Sequence, residues 1–223
     1  KLEATTTDYL QQSVPGFDME APHYWANKVL TDGVTAAELT VSEPALIGWL
    51  HTLEAISQLC MASARYRAAA NYARRVLKAE GYPTRAAGTV LLALARLEDQ
   101  DGFFALAHQL EEEIGADALE NSPWYLLART ILLFKTNKMR PATRALREFA
   151  NRCEGGAFFL LNPMYQTPYL PCRPEPHDPW DLSHQAVWEA DGIISDTPDF
   201  APWANACEDV SQLAQEFARR YGF

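Results

Sequence analysis

The sequence predicts an all-α fold in which antiparallel helix pairs stack as a right-handed solenoid. Through most of the 223-residue chain, apolar residues recur at the three- and four-residue spacing of an amphipathic helix. Most of these segments end at glycine, proline, asparagine or aspartate, which are the residues that stop helices and form turns. The segments also come in pairs with a period in the thirties, which is typical of helical repeat arrays.

The first helix pair has the clearest signals. Ser42 is a suitable N-cap, and Pro44 fits a first helical turn, where the missing proline N–H costs nothing. The helix that follows carries apolar residues at helical spacing, namely Leu46, Ile47, Leu50, Leu53, Ile56 and Cys60. A second helix is predicted over 66–79, with Gly81 and Pro83 as its stop.

Two further pairs follow the first. The predicted helices of these pairs cover 84–97 and 103–114, then 124–135 and 141–153. Ala69, Ala105 and Ala142 stand at corresponding points of the three second helices, 36 and 37 positions apart. We expect these alanines to mark the repeat, because a small side chain lets two helices approach closely.

The two ends of the chain differ from the paired region. Residues 1–19 predict irregular or weakly helical structure, and a short helix is predicted over 21–30. Six prolines within 162–179 exclude a helix there and predict an extended, ordered crossing. Three residues of that region are expected to anchor it, namely Tyr165, Tyr169 and Leu170.

Helices over 181–194 and 203–221 are predicted after the crossing. The chain then divides into four parts. These are an N-terminal segment (1–43), the helix-pair repeats (44–160), the proline-rich crossing (161–180) and an acidic C-terminal helical pair (181–223).

The first pair resembles the tetratricopeptide repeat. That pattern has a large residue, a leucine, a small residue and an aromatic in its first helix, where this chain has Leu53, Ile56, Ser57 and Cys60. The second helix continues the pattern with Tyr66, Ala69, Ala73 and Val76. The third pair keeps Ala142, Leu146 and Phe149, whereas the second pair has Glu112 at a small apolar position. The resemblance covers about residues 44–153 and implies a scaffold or adaptor that binds a peptide or a protein.

A second resemblance begins at the end of the repeats. Asn162-Pro163-Met164-Tyr165 and Pro168-Tyr169-Leu170, followed by a helix rich in alanine and aromatics, are similar to the region after the helix pairs in the suppression-of-tumorigenicity-seven family. The likeness covers 162–190, with Pro171 in place of a second leucine. It implies architecture and no particular chemistry.

Charge is unevenly distributed along this acidic chain, whose formal net charge is -10. The segments 65–96 and 129–152 each hold seven basic residues and one acid, whereas 174–217 holds ten acids and no Lys or Arg. The net charge argues against a dedicated nucleic-acid binder, which needs clustered bases. The segregation of charge predicts instead that the acidic segment lies against the basic helices, within one chain or between two copies in a homo-oligomer.

The tetratricopeptide register predicts a partner-binding groove on the first pair. The first helix is expected to present His51, Glu54, Gln58 and Met61 to it. The second helix would add Arg67, Arg74, Arg75 and Lys78, which would attract an acidic partner. Repeats that clamp a C-terminal carboxylate use Lys, Asn and Arg where this chain has His51, Glu54, Ala55 and Gln58, so a chaperone-tail reader is not expected.

Other chemistry has weaker support. His177, Asp181 and His184 lie close together in sequence and could hold a metal, although they match no specific zinc signature. The alternatives are therefore a metal-dependent or thiol enzyme, and nucleic-acid binding by the basic helices. We expect no cofactor, no catalytic residues and no membrane span. Four cysteines without a close pair, and a start without a signal-peptide core, predict a cytoplasmic protein with reduced thiols.

Overall fold

The computed structural model describes residues 1–14, 17–22, 44–79, 82, 84–168 and 175–223. Its described residues form helices, turns and irregular segments but no strand, which confirms the all-α prediction. The α-helices are α1 (Leu2–Ser13), α2 (Pro44–Ala62), α3 (Tyr66–Leu77), α4 (Ala86–Arg96), α5 (Gln100–Ile114), α6 (Ala116–Glu120), α7 (Pro123–Lys135), α8 (Met139–Arg152), α9 (Gly156–Leu161), α10 (Asp181–Ser195), α11 (Phe200–Asn205) and α12 (Glu208–Tyr221). A 3₁₀ turn, Pro163–Tyr165, follows α9.

Several sequence expectations fall outside these residues. They are the short helix over 21–30 apart from its first two residues, the Ser42 cap, the Gly81 and Pro83 stop, and the anchors Tyr169 and Leu170. None of the helices in the described ranges combines the length and the apolar character that crossing a bilayer requires.

Three helical hairpins have the same turn. They are α2–α3, α4–α5 and α7–α8, and each turn contains one non-glycine residue in the left-handed conformation, at Ala64, Glu98 and Asn137. In each turn the next residue donates its N–H to the carbonyl five positions earlier, over 2.7 Å from Arg65, 3.1 Å from Asp99 and 2.8 Å from Lys138. This is the Schellman pattern, which satisfies carbonyls at a helix C-terminus.

The repeat register differs from the one expected from the alanines. The left-handed turn residues lie 34 and 39 positions apart, whereas Ala69, Ala105 and Ala142 lie 36 and 37 positions apart. The fifth residue after each left-handed residue is Ala69, Phe103 or Ala142, and all three are fully buried. Ala105, by contrast, is exposed. The second hairpin uses a phenylalanine at this buried point, and the ring stacks on Tyr125 with centroids 6.0 Å apart.

Small residues do bring the first pair together. Ser57 is buried in α2 and donates its hydroxyl to the carbonyl of Ala69 in α3 over 2.8 Å. Such an approach requires that neither residue carries a large side chain at the crossing. The close contact between α2 and α3 therefore follows from the residues that the tetratricopeptide pattern singled out.

Three helices differ from the sequence predictions. α1 is regular and packs on α2, where the Trp49 indole N–H donates to Thr7 over 3.0 Å. α6 fills the long connection before α7. α9 begins directly after Gly155, whose left-handed backbone (φ 76°) turns the chain so that helical structure resumes where we expected only a stop.

The C-terminal part is one bundle with the hairpins. α10 packs against α2, α4, α7 and α9, and α12 packs against α8 and α9. The helix expected over 203–221 is instead two, because Cys207 is extended (φ -79°, ψ 100°) between α11 and α12. Residues 175–223 therefore contain three helices rather than a pair.

Two glycines test how tightly the hairpins pack. A methyl group on Gly88 of α4 would lie 2.8 Å from Cβ of Trp124, whereas one on Gly48 of α2 would meet nothing within 4 Å. We predict that Gly88→Ala lowers the free energy of unfolding by about 1–3 kcal/mol through overpacking. Gly48→Ala is the matched control and should raise it by about 0.5–1 kcal/mol, since alanine is the better helix former. Urea unfolding of both variants measures this, and equal effects would contradict the packing described here.

Candidate functional site

The face formed by α2, α4 and α7 is covered by α10. These are the first helices of the three hairpins, and we call the surface that contacts α10 the inner face. Most of α10 is buried, including Ser183, His184, Gln185, Ala186, Val187, Glu189, Ala190 and Ile193. A helix buried on so many sides is part of the core. Full burial of side chains such as Val187 and Ile193 stabilises it by about 1.5–3 kcal/mol each.

A buried carboxylate lies at the centre of this contact. Glu189 is 7% exposed, and it accepts hydrogen bonds from the Thr89 hydroxyl in α4 and, over 2.8 Å, from the Trp124 indole N–H in α7. The absence of a side chain at Gly88 leaves room for the Trp124 ring. Glu189 thus links three helices, although by sequence it belongs to the acidic segment 174–217.

Charged side chains also make contacts near both ends of α10. At its start, Arg85 donates to Gln185 over 2.6 Å and lies 3.8 Å from the carboxylate of Glu175. At its end, Asp196 accepts from the Tyr66 hydroxyl over 3.2 Å and lies 3.4 Å from Arg96. Burial, and then the Asp196 carboxylate, raise the pKa of Tyr66.

The acidic segment therefore does meet the basic segments within one chain. A third ion pair, between Arg147 of α8 and Asp209 of α12 at 2.5 Å, adds to those at Glu175 and Asp196. These pairs are solvent-accessible, and the Glu175 side chain is 89% exposed. Exposed pairs contribute only about 0–1 kcal/mol each, so apolar burial and Glu189, rather than charge attraction, hold α10 in place.

His184 connects the crossing to α10. Its Nε2 accepts the N–H of Thr167 over 3.2 Å, and its ring lies 4.4 Å from that of Phe159. Burial lowers the pKa of His184, although the Asp181 carboxylate and a hydrogen bond with the Tyr165 backbone oppose this shift. The neutral ring therefore acts as a structural acceptor.

The metal candidates do not assemble into a site. The Asp181 carboxylate accepts the N–H groups of His177 and Asp178, over 2.7 and 3.0 Å, at the start of α10. His184 is engaged with the crossing, as described above. Among the described residues there is no group of three His, Cys, Asp or Glu side chains that could hold a metal ion.

The predicted groove residues of α2 have different environments. His51 is exposed beside the Tyr82 ring, with centroids 6.1 Å apart, and Glu54 accepts hydrogen bonds from Tyr82 and Thr84. Gln58 and Met61 are 5% and 4% exposed. These two residues therefore do not face an open groove, because the rest of the chain covers that side of α2.

The predicted basic residues of α3 form two groups. Arg75 pairs with Glu3 of α1 at 2.7 Å and lies over the Trp49 ring, and Lys78 pairs with Glu20. Arg67 and Arg74 are exposed, and neither has an ion pair among the described residues. Of the four predicted basic residues, Arg67 and Arg74 are therefore the two whose charge is not paired within the described part of the chain.

The three cysteines in the described part of the chain are poor nucleophiles. Burial raises the pKa of Cys60 and Cys207, and it raises the pKa of Cys153 to about 12. A thiol needs a lowered pKa to be a thiolate at neutral pH. These three cysteines therefore offer no support for a thiol enzyme, while Cys172 lies outside the described residues.

One surface feature was missed by sequence reasoning. A groove of about 320 Å³ lies where α8, α9 and α12 meet, and we call it the α8–α12 groove. Its lining includes the apolar residues Ala150, Ala157, Phe158, Leu213 and Phe217 and the polar residues Asn151, Arg152, Glu154, Glu216 and Arg220. No sequence pattern indicates it, because its walls come from segments more than 50 positions apart.

Comparison with known proteins adds no identification. No protein-family model, no curated protein and no solved structure matches the chain. The tetratricopeptide resemblance therefore depends on the residues quoted for it.

Removal of the buried carboxylate tests the centre of the inner face. We predict that Glu189→Ala lowers the free energy of unfolding by about 2–3 kcal/mol, because Thr89 and Trp124 would lose their buried acceptor. Glu111→Ala, at an exposed position of α5, is the control and should change it by no more than about 0.5 kcal/mol. Equal values for the two variants in urea unfolding would show that Glu189 does not join the helices.

Protonation of His184 should weaken the fold in mild acid. A lowered folded-state pKa means that the unfolded chain takes up the proton first, so stability is fully present above about pH 6.5 and falls below it. When the pH is lowered from about 7.5 to about 5.5, the free energy of unfolding should fall more for the native chain than for His184→Gln, which has no titrating ring. His177→Gln changes an exposed histidine and should behave as the native chain does. Denaturant unfolding at both pH values provides the measurement.

Proposed function

We propose that the chain is a non-catalytic interaction module, a tetratricopeptide-like scaffold or adaptor that binds a peptide or protein. The three hairpins with a common turn support this proposal. A repeated pattern of burial supports it as well, because the residues five, nine and twelve positions after each left-handed turn residue are buried. These residues are Ala69, Ala73 and Val76 in α3, Phe103, Ala107 and Leu110 in α5, and Ala142, Leu146 and Phe149 in α8. Arrays of helix pairs bind partners through extended surfaces.

The partner binds on the outer side of the array, since α10 occupies the inner face. In the second helix of each hairpin (α3, α5 and α8), the residues three, seven, ten and fourteen positions after the left-handed turn residue form an exposed stripe. In α3 the stripe is Arg67, Asn71, Arg74 and Lys78. In α5 it is Asp101, Ala105, His108 and Glu112, and in α8 it is Arg140, Arg144, Arg147 and Asn151.

Unpaired arginines on these stripes are the observation that carries the proposal. Six arginines in the described part of the chain have no ion pair, and four of them are Arg67, Arg74, Arg140 and Arg144. In a chain with 29 acids and 19 bases, arginines left without a carboxylate favour an acidic partner. Nucleic acid fits less well, because the α5 stripe places Asp101 and Glu112 on the second hairpin.

Reversal of these charges should remove specific partners. The immobilised chain is expected to recover proteins from nuclease-treated lysate at low salt and to lose them at raised salt, because exposed charges are screened. Arg67→Glu with Arg74→Glu, or Arg140→Glu with Arg144→Glu, should abolish recovery of those same proteins. The control, Lys1→Glu with Arg219→Glu, makes an equal charge change at exposed positions outside the stripes. Quantitative mass spectrometry reads the result, and recovery unchanged by both stripe variants would contradict the proposal.

A further inference from the structure

We propose that the exposed sides of α5 and α8 bind a second copy of this chain, in a two-fold symmetric dimer in which α5 of each copy lies against α8 of the other. This inference rests on the proposed function, because it takes the stripes as binding surfaces and names the acidic partner of the α8 stripe. The α3 stripe takes no part in this dimer.

The α5 and α8 stripes begin nearly level with each other. Lys138, just before α8, donates to the side-chain carbonyl of Gln100 at the start of α5, and these residues follow their left-handed turn residues by one and two positions. At the other end, Arg152 of α8 lies 2.9 Å from the carboxylate of Glu120, the last residue of α6. The chain therefore runs in the same direction through α5 and α6 as through α8.

The two helices carry opposite charge. The α5 helix has four acids and no Lys or Arg, and these acids are Asp101, Glu111, Glu112 and Glu113. The α8 stripe has three arginines, of which Arg140 and Arg144 are exposed and have no carboxylate partner among the described residues. The exposed acids Asp101 and Glu111 also have no ion pair in the described part of the chain. Each helix therefore presents the charge that the other lacks.

The exposed side of α5 also presents an aromatic ring. This helix buries only Phe103, Ala107 and Leu110, whereas α3 and α8 each bury five residues. Phe104 is 45% exposed, and helix periodicity places it on the same side as Asp101. A guanidinium group stacks on an aromatic face as well as pairing with a carboxylate. This side of α5 thus has both kinds of group that bind arginine.

Two-fold symmetry brings these groups together. An axis parallel to the two helices, and midway between them, places α5 of each copy on α8 of the other with the helices in the same direction. Asp101 and Arg140 both follow their turn residues by three positions, so Asp101 comes opposite Arg140 of the second copy. Phe104, six positions after its turn, comes opposite Arg144, which is seven positions after its own. One contact, made twice, then pairs both arginines of each copy.

The far end of the contact is polar, and charge excludes the competing arrangement. Glu112 comes level with Asn151 of the second copy, whose amide can donate to the carboxylate. Within its own chain, Glu112 lies 3.8 Å from His108, and both side chains are 72% exposed. An axis perpendicular to the helices would instead place α5 on α5 and α8 on α8, where like charges repel.

Exchange of charge between the two helices tests the dimer. Sedimentation equilibrium of the purified native chain should show monomer passing to dimer between about 20 µM and about 1 mM, the range of a weak complex. The salt is held at about 0.1 M, where charges are screened over about 10 Å, so that the contact pairs outweigh the repulsion between two acidic copies. Asp101→Arg with Glu112→Arg, or Arg140→Glu with Arg144→Glu, should weaken association tenfold or more.

An equimolar mixture of these two double variants should associate again, within about threefold of the native chain, since each α5 then faces an α8 of opposite charge. Both variants remain acidic, because the native net charge is -10, so attraction between net charges does not explain such a recovery. The matched controls are Asp8→Arg with Glu216→Arg and Lys1→Glu with Arg219→Glu. They make the same charge changes at exposed positions outside the stripes and should leave association within twofold. Circular dichroism melting verifies the fold of each variant.

Three outcomes would overturn the dimer. These are a monomer mass up to about 1 mM, a mixture that fails to associate, and control variants that weaken association as much as the stripe variants do. The proposed function has a separate outcome. If the chain stays monomeric while Arg140→Glu with Arg144→Glu removes lysate partners, the chain is an interaction module whose α8 stripe binds another protein. If it dimerises and lysate recovery is unchanged by both arginine variants, the dimer stands and the wider adaptor role is wrong.

Discussion

The burial of α10 against α2, α4 and α7 is the contact on which the rest of the structure depends. Apolar residues such as Val187, Ala190 and Ile193 supply most of its stability, since each is fully buried. Glu189 fixes the orientation of α10, because its carboxylate can accept hydrogen bonds from both Thr89 and Trp124 in only one rotation and one axial position of the helix. A purely apolar contact would tolerate sliding by a turn far better than this one does.

The hairpins are largely local structures, and that is why they could be predicted. Helices α2, α3, α4, α7 and α8 each begin and end within two or three residues of the predicted bounds, because stop residues and apolar spacing act over a few positions. The repeat register is different. It was assigned from residue type, and Ala105 is an alanine on the exposed side while Phe103 takes the buried point. Turn geometry identifies that point, and Ala64 and Glu98 give no sequence sign of a left-handed backbone.

Contacts between distant segments account for what could not be predicted. Glu189 lies in an acidic stretch, and only its long-range partners, 100 positions away at Thr89 and 65 away at Trp124, make it a core residue. Gln58 and Met61 look exposed by helix register alone and are buried by the rest of the chain. The α8–α12 groove has the same origin, since Ala150 and Phe217 are neighbours only after folding. The segregation of charge did predict real ion pairs, but these are too exposed to hold α10.

The occupied inner face changes where function can reside. A helix array usually presents its first helices to a ligand, but here α10 covers them and cannot leave without exposing Ile193 and the Glu189 carboxylate without partners. The recognition surface proposed above therefore lies on the second helices, whose exposed stripes do not contribute to the core. Two of the three stripes are basic in a chain of net charge -10. Of the ten acids of the C-terminal segment, Glu189, Asp196 and Asp209 make the contacts described above, and no carboxylate among the described residues pairs with Arg140 or Arg144. Apolar burial of α10 thus closes the inner face, whereas the segregation of charge leaves unpaired arginines on the outer surface.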